Sequence, residues 1–454
     1  MKKKWQPSVR ASGGPKYIAL VDALEAGIEK GELRTGDRLP SHRELGDMFG
    51  VTIATVTKAM TEAARRGIIE ARVGSGTFIR ERNVEVPVPD VIDLSINTLP
   101  PDIVADLLAE TVAQVPSERL SRDLFNYSSY AISSHHRQLA AAWISQFCTR
   151  VRPENLLTTN GVHQGLLAAF GVLLKAGEPA ICEPLTYTGI KRIAEYRGVK
   201  LIGAKCDEEG LTPDSVEAQL RQSKAKVVII TTTTQNPTTA TLSEKRRQAL
   251  AEVCRKNDAW IIEDGVNIPL ANDRTPSIAD LAPDRTIHLT GFSKCVASGF
   301  RLGYAVLPEQ IFNAFHDALV STQWTGPGFY SELAATMLAN GMMEQCIARH
   351  REEAAARFGL AQRVLGGVRH SALLSYHAWV SVPAGWSAEE FAAQASQMGV
   401  RISPASHFAI SLADLPAAYR ISLGACANRS MLEDALNRLA AIGSAPSLAY
   451  GTVI

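Results

Sequence analysis

The stretch Thr286-Ile287-His288-Leu289-Thr290-Gly291-Phe292-Ser293-Lys294-Cys295-Val296-Ala297-Ser298-Gly299-Phe300-Arg301-Leu302-Gly303 decides how most of this chain is read. It starts as a short apolar run and passes into a small, polar, glycine-rich segment carrying Lys294 and Arg301. Similar apolar runs precede it: Pro179-Ala180-Ile181-Cys182, Val227-Val228-Ile229-Ile230 and Trp260-Ile261-Ile262, separated by helical patterns. Apolar strands alternating with helices specify an α/β domain around a largely parallel sheet. Ligands of such sheets collect at the carboxyl ends of the strands. The residues with chemical potential stand there: Asp264 after Ile261-Ile262, Asn236 after Val227–Ile230, and Lys294 after Ile287-His288-Leu289.

Length and charge set the frame. A chain of 454 residues exceeds one ordinary domain, and its 46% hydrophobic content supplies a sizeable core. The formal net charge of +1 is unevenly spread: residues 1–82 carry 15 Lys+Arg against 10 Asp+Glu, which leaves the remainder mildly acidic. A basic module on an acidic body suits a polyanionic partner, although Lys2, Lys3 and Lys4 supply much of the excess. Seven scattered cysteines without a C-x-x-C pair argue for a reducing compartment and against a disulfide scaffold or zinc site. Met1-Lys2-Lys3-Lys4-Trp5 leads into polar residues, not the apolar core of a signal peptide, and no apolar run is long enough to span a bilayer. The expectation is a cytoplasmic protein with no membrane partner.

Residues 17–30 place Ile18, Val21, Leu24 and Ile28 at helical spacing, with Gly31 as the stop. Ser41, followed three residues later by Glu44, reads as a capping box opening a helix to about Phe49, with Gly50 in the turn. A second helix starts from Thr52. Two short strands, around Ile68–Val73 and Thr77–Ile79, flank Gly74-Ser75-Gly76. This order is a winged helix-turn-helix. The details Gly36-Asp37-Arg38-Leu39-Pro40-Ser41, Val51-Thr52 and Gly76-Thr77-Phe78-Ile79 resemble the GntR family of regulators. That resemblance implies double-stranded DNA as partner, with the helix from Thr52 in the major groove. Thr52, Thr55 and Thr57 would reach phosphates or base edges, Arg43 matches a DNA-contacting position, and Lys58, Arg65 and Arg66 are generic cations. Gly74 and Gly76 would let the wing backbone approach the duplex.

Across roughly residues 95–445 the motifs resemble the fold-type-I aminotransferases, and the whole chain resembles the MocR-type branch of GntR regulators, a winged helix fused to an aminotransferase-like domain. The resemblance implies an α/β pyridoxal-phosphate-dependent transferase fold with a smaller C-terminal α+β subdomain, and pyridoxal 5'-phosphate as cofactor. Lys294 would form the Schiff base, with Arg301 and Ser293 at the phosphate. Gly161, Val162 and His163, in Thr159-Asn160-Gly161-Val162-His163-Gln164-Gly165, would offer helix N-terminal N–H groups to the same phosphate. Tyr187 would stack on the pyridine, Asn236 would bond the ring hydroxyl, and Asp264 would pair with the protonated ring nitrogen. Arg420 would clamp the carboxylate of an amino-acid ligand. Tyr127 resembles a tyrosine that reaches the phosphate across a homodimer interface. The expected segments are residues 1–82 for DNA binding, 83–94 for a Pro- and Val-rich linker, and 95–454 for the effector domain, with its small subdomain from about 340.

Three positions depart from the family pattern. Asn267 stands where a tyrosine is usual, although by the resemblance its amide can still reach a cofactor ring oxygen; Gly291 stands where a hydroxyl residue is usual, and Ile132 where a small residue is usual near Tyr127. Each lost neutral hydrogen bond is worth about 0.5–1.5 kcal/mol. The functional expectation is a regulator that senses an amino acid or related amine by Schiff-base exchange at Lys294. The alternative is a working aminotransferase carrying a DNA-binding arm.

Overall fold

The computed structural model describes residues 16–29, 32–33, 36–65, 68–72, 76–79, 91–115, 133–369 and 373–444. The chain divides into two compact units, Met1–Pro89 and Asp90–Ile454. Tyr127, Ile132 and Gly74 lie outside the described residues.

Among its described residues the first unit has the helices α1 (Lys16–Glu29), α2 (His42–Phe49) and α3 (Ile53–Arg65), and the hairpin β1 (Ile69–Arg72) and β2 (Gly76–Ile79). Val21 and Leu24 of α1 are buried against Leu45, Val56, Ala59 and Ile69; Ile18 and Ile28 are only half-buried, and Leu20 does the third share of the packing. The capping box is formed: the Glu44 amide donates to Ser41 Oγ at 3.3 Å, and the Ser41 amide donates to Glu44 Oε2 at 2.9 Å. Gly50 then takes a left-handed φ of 60°, which ends α2 without the cost a Cβ would bring. Thr52 precedes α3 and accepts from the Thr55 amide at 3.3 Å, so its hydroxyl caps that helix.

In the second unit the elements, in chain order, are β3 (Ile92–Asp93), β4 (Leu156–Thr159), α4 (Gly161–Leu173), β5 (Pro179–Cys182), α5 (Thr188–Arg197), β6 (Lys200–Gly203), β7 (Val227–Thr231), β8 (Trp260–Asp264), β9 (Thr286–Gly291), β10 (Gly303–Val306), α6 (Met342–Val364), β11 (His377–Ser381), β12 (Val400–Arg401), β13 (Ser403–Pro404) and β14 (Ala418–Ser422), together with further covering helices. Seven strands form one sheet in the order β4-β10-β9-β8-β7-β5-β6. Every neighbouring pair is parallel except the two made by β10, which runs against both β9 and β4. The fully buried Val227–Thr231 and Thr286–Gly291 are covered on both faces, as the continuous apolar runs require. The expected α/β architecture is therefore present, with one antiparallel strand.

A smaller α+β layer follows the long helix α6. Its sheet has the order β11-β14-β13. Residues 91–94, expected at the end of the linker, are instead part of this layer. β3 pairs in parallel with β12, and Ile92 and Leu94 are buried in the same core as Val400, Ile421 and Leu423. Their apolar side chains, alternating with Asp93, account for the difference: an extended run with buried alternate positions adds to a sheet when an edge is available.

Loss of the α2 cap tests the first unit separately. Ser41→Ala should lower the stability of that unit by about 1 kcal/mol and leave the melting of the second unit unchanged. Calorimetry of the full chain reads both transitions.

Candidate functional site

The parallel sheet sends its connections out at one edge, and the candidate residues follow from that. β8 ends on Asp264, β9 ends on Gly291 three residues before Lys294, and β7 ends on Thr231 five residues before Asn236. β4 ends one residue before the turn that opens α4, and β5 leads to Tyr187 at the start of α5. These side chains meet the Ser95–Thr98 segment and Arg420 of β14 around a cavity of about 640 Å³.

Arg420 is buried and has no carboxylate partner among the described residues. Its NH1 donates to Asn236 Oδ1 at 2.8 Å, its NH2 donates to the Ser95 carbonyl, its guanidinium lies 4.7 Å from the centre of the Phe408 ring, and its Nε has no partner. Burial pushes it down to about 10. Because Asn236 Oδ1 faces Arg420, its NH2 is left as the donor side.

The Lys294 amine donates to the Asn97 carbonyl at 2.6 Å. Burial first, then the charges of Arg420 and Arg301, bring it down to about 8. Asp264 is buried, accepts from the Val266 amide at 3.1 Å, and is raised by burial to about 6. Behind it, Glu263 and His288 form a separate buried pair at 2.9 Å, with Glu263 also accepting from the amides of Ile278 and Ala279.

At the other end of the cavity, Gly161 opens α4 with φ +74°, and a Cβ there would stand 2.7 Å from the Arg301 guanidinium. Arg301 donates to Ser293 Oγ at 3.2 Å and to the Asn160 carbonyl at 3.5 Å. The helix N-terminus, Arg301 and Ser293 thus gather hydrogen-bond donors in one corner of the cavity. His163 meets Tyr187 edge-on, with ring centres 6.4 Å apart. Burial, then the charges of Arg301 and Arg192, lower the His163 pKa, which favours a neutral ring.

The departures acquire a physical content. Asn267 lines the cavity, but its NH2 donates to the Thr234 carbonyl at 2.9 Å. Gly291 faces Gly303 across β9 and β10, and a Cβ at 291 would lie 2.8 Å from the Leu302 carbonyl oxygen. The close strand approach excludes the hydroxyl residue; Ser293 supplies a hydroxyl instead.

Sequence reading missed Ser95, Asn97, Ser298 and Arg192. Ser95 and Asn97 act through backbone carbonyls, which any residue carries. Ser298 Oγ accepts from Thr98 Oγ1 at 2.9 Å and from the Leu99 amide at 3.0 Å, so only the tertiary fold reveals it. Arg192 had no motif to mark it.

In the first unit, Arg43, Thr52, Thr57, Lys58 and Gly76 are exposed, and Thr55 is half-buried. The Thr52 and Thr55 hydroxyls are 3.0 Å apart, and Thr57 Oγ1 donates to the Ile53 carbonyl at 3.0 Å. Lys58 leans over the Tyr17 ring at 4.3 Å, which makes it a packing cation on α1 as much as a surface charge.

With this geometry in hand, two family models match the chain. Residues 89–439 match the model of aminotransferase class I and II, and residues 16–79 that of bacterial regulatory proteins of the gntR family. The chain belongs to the aminotransferase class I and II family. Its gntR-type N-terminal module makes the combination the MocR type. This family member is similar to YdeF of Bacillus subtilis (strain 168), an uncharacterized helix-turn-helix-type transcriptional regulator, 27% identical over 437 residues that cover 94% of each chain. It is also similar to the regulator TauR of Rhodobacter capsulatus, 26% identical over 84% of this chain and 87% of that one. Among solved structures, the α-aminoadipate aminotransferase LysN of Thermus thermophilus superimposes with TM-score 0.70 at 22% identity, over 78% of this chain and 92% of its own. An archaeal alanine:glyoxylate aminotransferase does so with TM-score 0.70 at 21% identity, over 86% and 94%. These likenesses establish the fold of the second unit. No helix among the described residues is long and apolar enough to cross a membrane.

The state of Lys294 has a direct consequence for pH. A lysine held near 8 is roughly one-tenth neutral at pH 7, whereas an ordinary one is almost wholly charged. The rate at which the protein captures an aldehyde such as pyridoxal phosphate at Lys294 should therefore rise with pH and level off above about 8. A rate still climbing beyond pH 10 would show an unperturbed amine. Stopped-flow absorbance measures it.

Proposed function

We propose that this family member is a DNA-binding transcription regulator whose second unit takes pyridoxal 5'-phosphate at Lys294 and senses an amino acid or related amine by Schiff-base exchange at that lysine. One observation carries the reading: Lys294, Asp264, Asn236, Tyr187, Arg301 and Arg420 line a single cavity at the carboxyl edge of the sheet.

When bound, the cofactor supplies an aldehyde that condenses reversibly with amines and a pyridine ring that withdraws electrons once protonated. The donor set fits it. Gly161 keeps the corner clear of a Cβ, and Arg301, Ser293 and the N–H groups of Gly161, Val162 and His163 would hold the phosphate. Asp264, costly to keep charged while buried, gains a partner if the ring nitrogen is protonated. Asn236, whose Oδ1 faces Arg420, would offer its NH2 to a ring oxygen, Tyr187 would stack on the ring, and Asn267, anchored on Thr234, would contribute shape more than a donor. Arg420 offers its unpartnered Nε to the carboxylate of the incoming amine.

On the DNA side, Arg43, Thr52, Thr57 and Gly76 are exposed on the elements that a winged helix presents to a duplex, with Lys58 and Thr55 beside them. A homodimer would place two such modules on paired half-sites, with Tyr127 as the candidate residue at the shared phosphate site. Relatives named as helix-turn-helix-type transcriptional regulators, matched over 94% and 87% of their own length, support this reading. The alternative, a working aminotransferase with a DNA-binding arm, draws on the complete Lys294–Asp264–Asn236–Arg420 set.

Lys294→Ala should retain DNA binding and lose the change in DNA affinity that an effector amine produces. Fluorescence anisotropy with a promoter fragment reads both. An unaltered effector response in Lys294→Ala would contradict sensing at Lys294. Repeated turnover of an amino donor with a keto acid by the wild type would favour the enzyme.

A further inference from the structure

We infer that the effector is an amine bearing two anionic groups, an acidic amino acid, whose α-carboxylate goes to Arg420 and whose second acidic group goes to Arg192. This rests on the cavity being the cofactor and amine site proposed above.

The argument starts from charge. The cavity wall carries four basic side chains, Arg192, Lys294, Arg301 and Arg420, against one carboxylate, Asp264. Each has a distinct location. Arg301 lies with Ser293 against the N-terminus of α4, at the corner proposed for the phosphate. Lys294 is the covalent position, and Asp264 answers the ring nitrogen. Two guanidinium groups then remain for one ligand. Arg420 is buried with its Nε unpartnered, deep in the cavity. Arg192, on α5 five residues after Tyr187, is exposed at the solvent side.

Among the described residues no carboxylate neutralises Arg192: it makes no ion pair, and Glu195, one turn further along α5, does not pair with it. Its neighbour Lys191 is turned away and donates to the His407 carbonyl at 2.9 Å. A ligand with a single carboxylate satisfies Arg420 and leaves Arg192 facing the cavity alone. A second acidic group, carried on a methylene chain that reaches α5, would give Arg192 its counter-charge as well. Ile96, 62% exposed, lines the wall and gives that chain an apolar surface. A bidentate arginine–carboxylate pair is the favoured geometry for both ends.

The test uses matched pairs that differ in charge and hardly in shape. The full-length protein, loaded with pyridoxal phosphate, is titrated with glutamate against glutamine and aspartate against asparagine, read by absorbance and by thermal shift. In the wild type the acidic member should bind at least about tenfold more tightly than its amide. Arg192→Gln should collapse that ratio to within about twofold, Arg192→Lys should restore part of it, and Glu195→Gln should leave the wild-type ratio. Equal binding of acid and amide in the wild type, or a ratio unchanged by Arg192→Gln, overturns the inference and leaves amine sensing intact. No spectral change with any of the four ligands also overturns this inference, whereas amine sensing itself fails only if Lys294→Ala keeps the effector response.

Discussion

Arg420 is the interaction on which the second unit turns. It stands on β14 of the small layer, reaches Asn236 beyond the end of β7 in the large sheet, and holds the Ser95 carbonyl of the segment that follows β3. Three parts of the chain, far apart in sequence, are joined through one guanidinium. A buried cation without a carboxylate is costly, and burial already pulls Arg420 down to about 10. Carbonyl and amide oxygens offset part of that cost, and a ligand carboxylate would offset more. The site is thus organised around an unmet charge.

The neighbouring titratable groups follow the same logic. Lys294 is lowered and Asp264 is raised, chiefly by burial in both cases, so the charged form of each is less favoured than in water. A ligand that carries a positive ring nitrogen and an electrophilic carbon relieves both at once. Gly291 and Gly303, packed backbone to backbone, fix how close β9 and β10 come at this edge, and through them the placement of Lys294 and Arg301 on either side.

Much of this was legible in the sequence, for identifiable reasons. The strands through Ile181, Val228, Ile262 and Ile287 declare themselves because buried parallel strands are apolar on both faces. The α2 cap declares itself because Ser41 and Glu44 bond reciprocally at a fixed spacing. The common edge of Asp264, Asn236 and Lys294 could be read because the carboxyl ends of such strands lie together. The linker boundary was set too late because β3 is only two residues long and is stabilised by β12, some three hundred residues away. The carbonyls of Ser95 and Asn97 were invisible because main-chain acceptors leave no mark on residue identity. Arg192 was invisible because a helix-surface arginine is ordinary until a cavity is seen beside it.

The central claim is that the Lys294 amine is the exchangeable covalent position. The most direct measurement is borohydride reduction of the pyridoxal-phosphate-loaded full-length protein, which turns the carbon–nitrogen double bond into a stable single bond, followed by peptide mass spectrometry with and without added glutamate. The account predicts one pyridoxyl-modified peptide, the one containing Lys294, and loss of that modification when glutamate is added before the reductant. Modification spread over surface lysines would contradict it, and a Lys294 label that glutamate leaves in place would contradict exchange with an acidic amino acid.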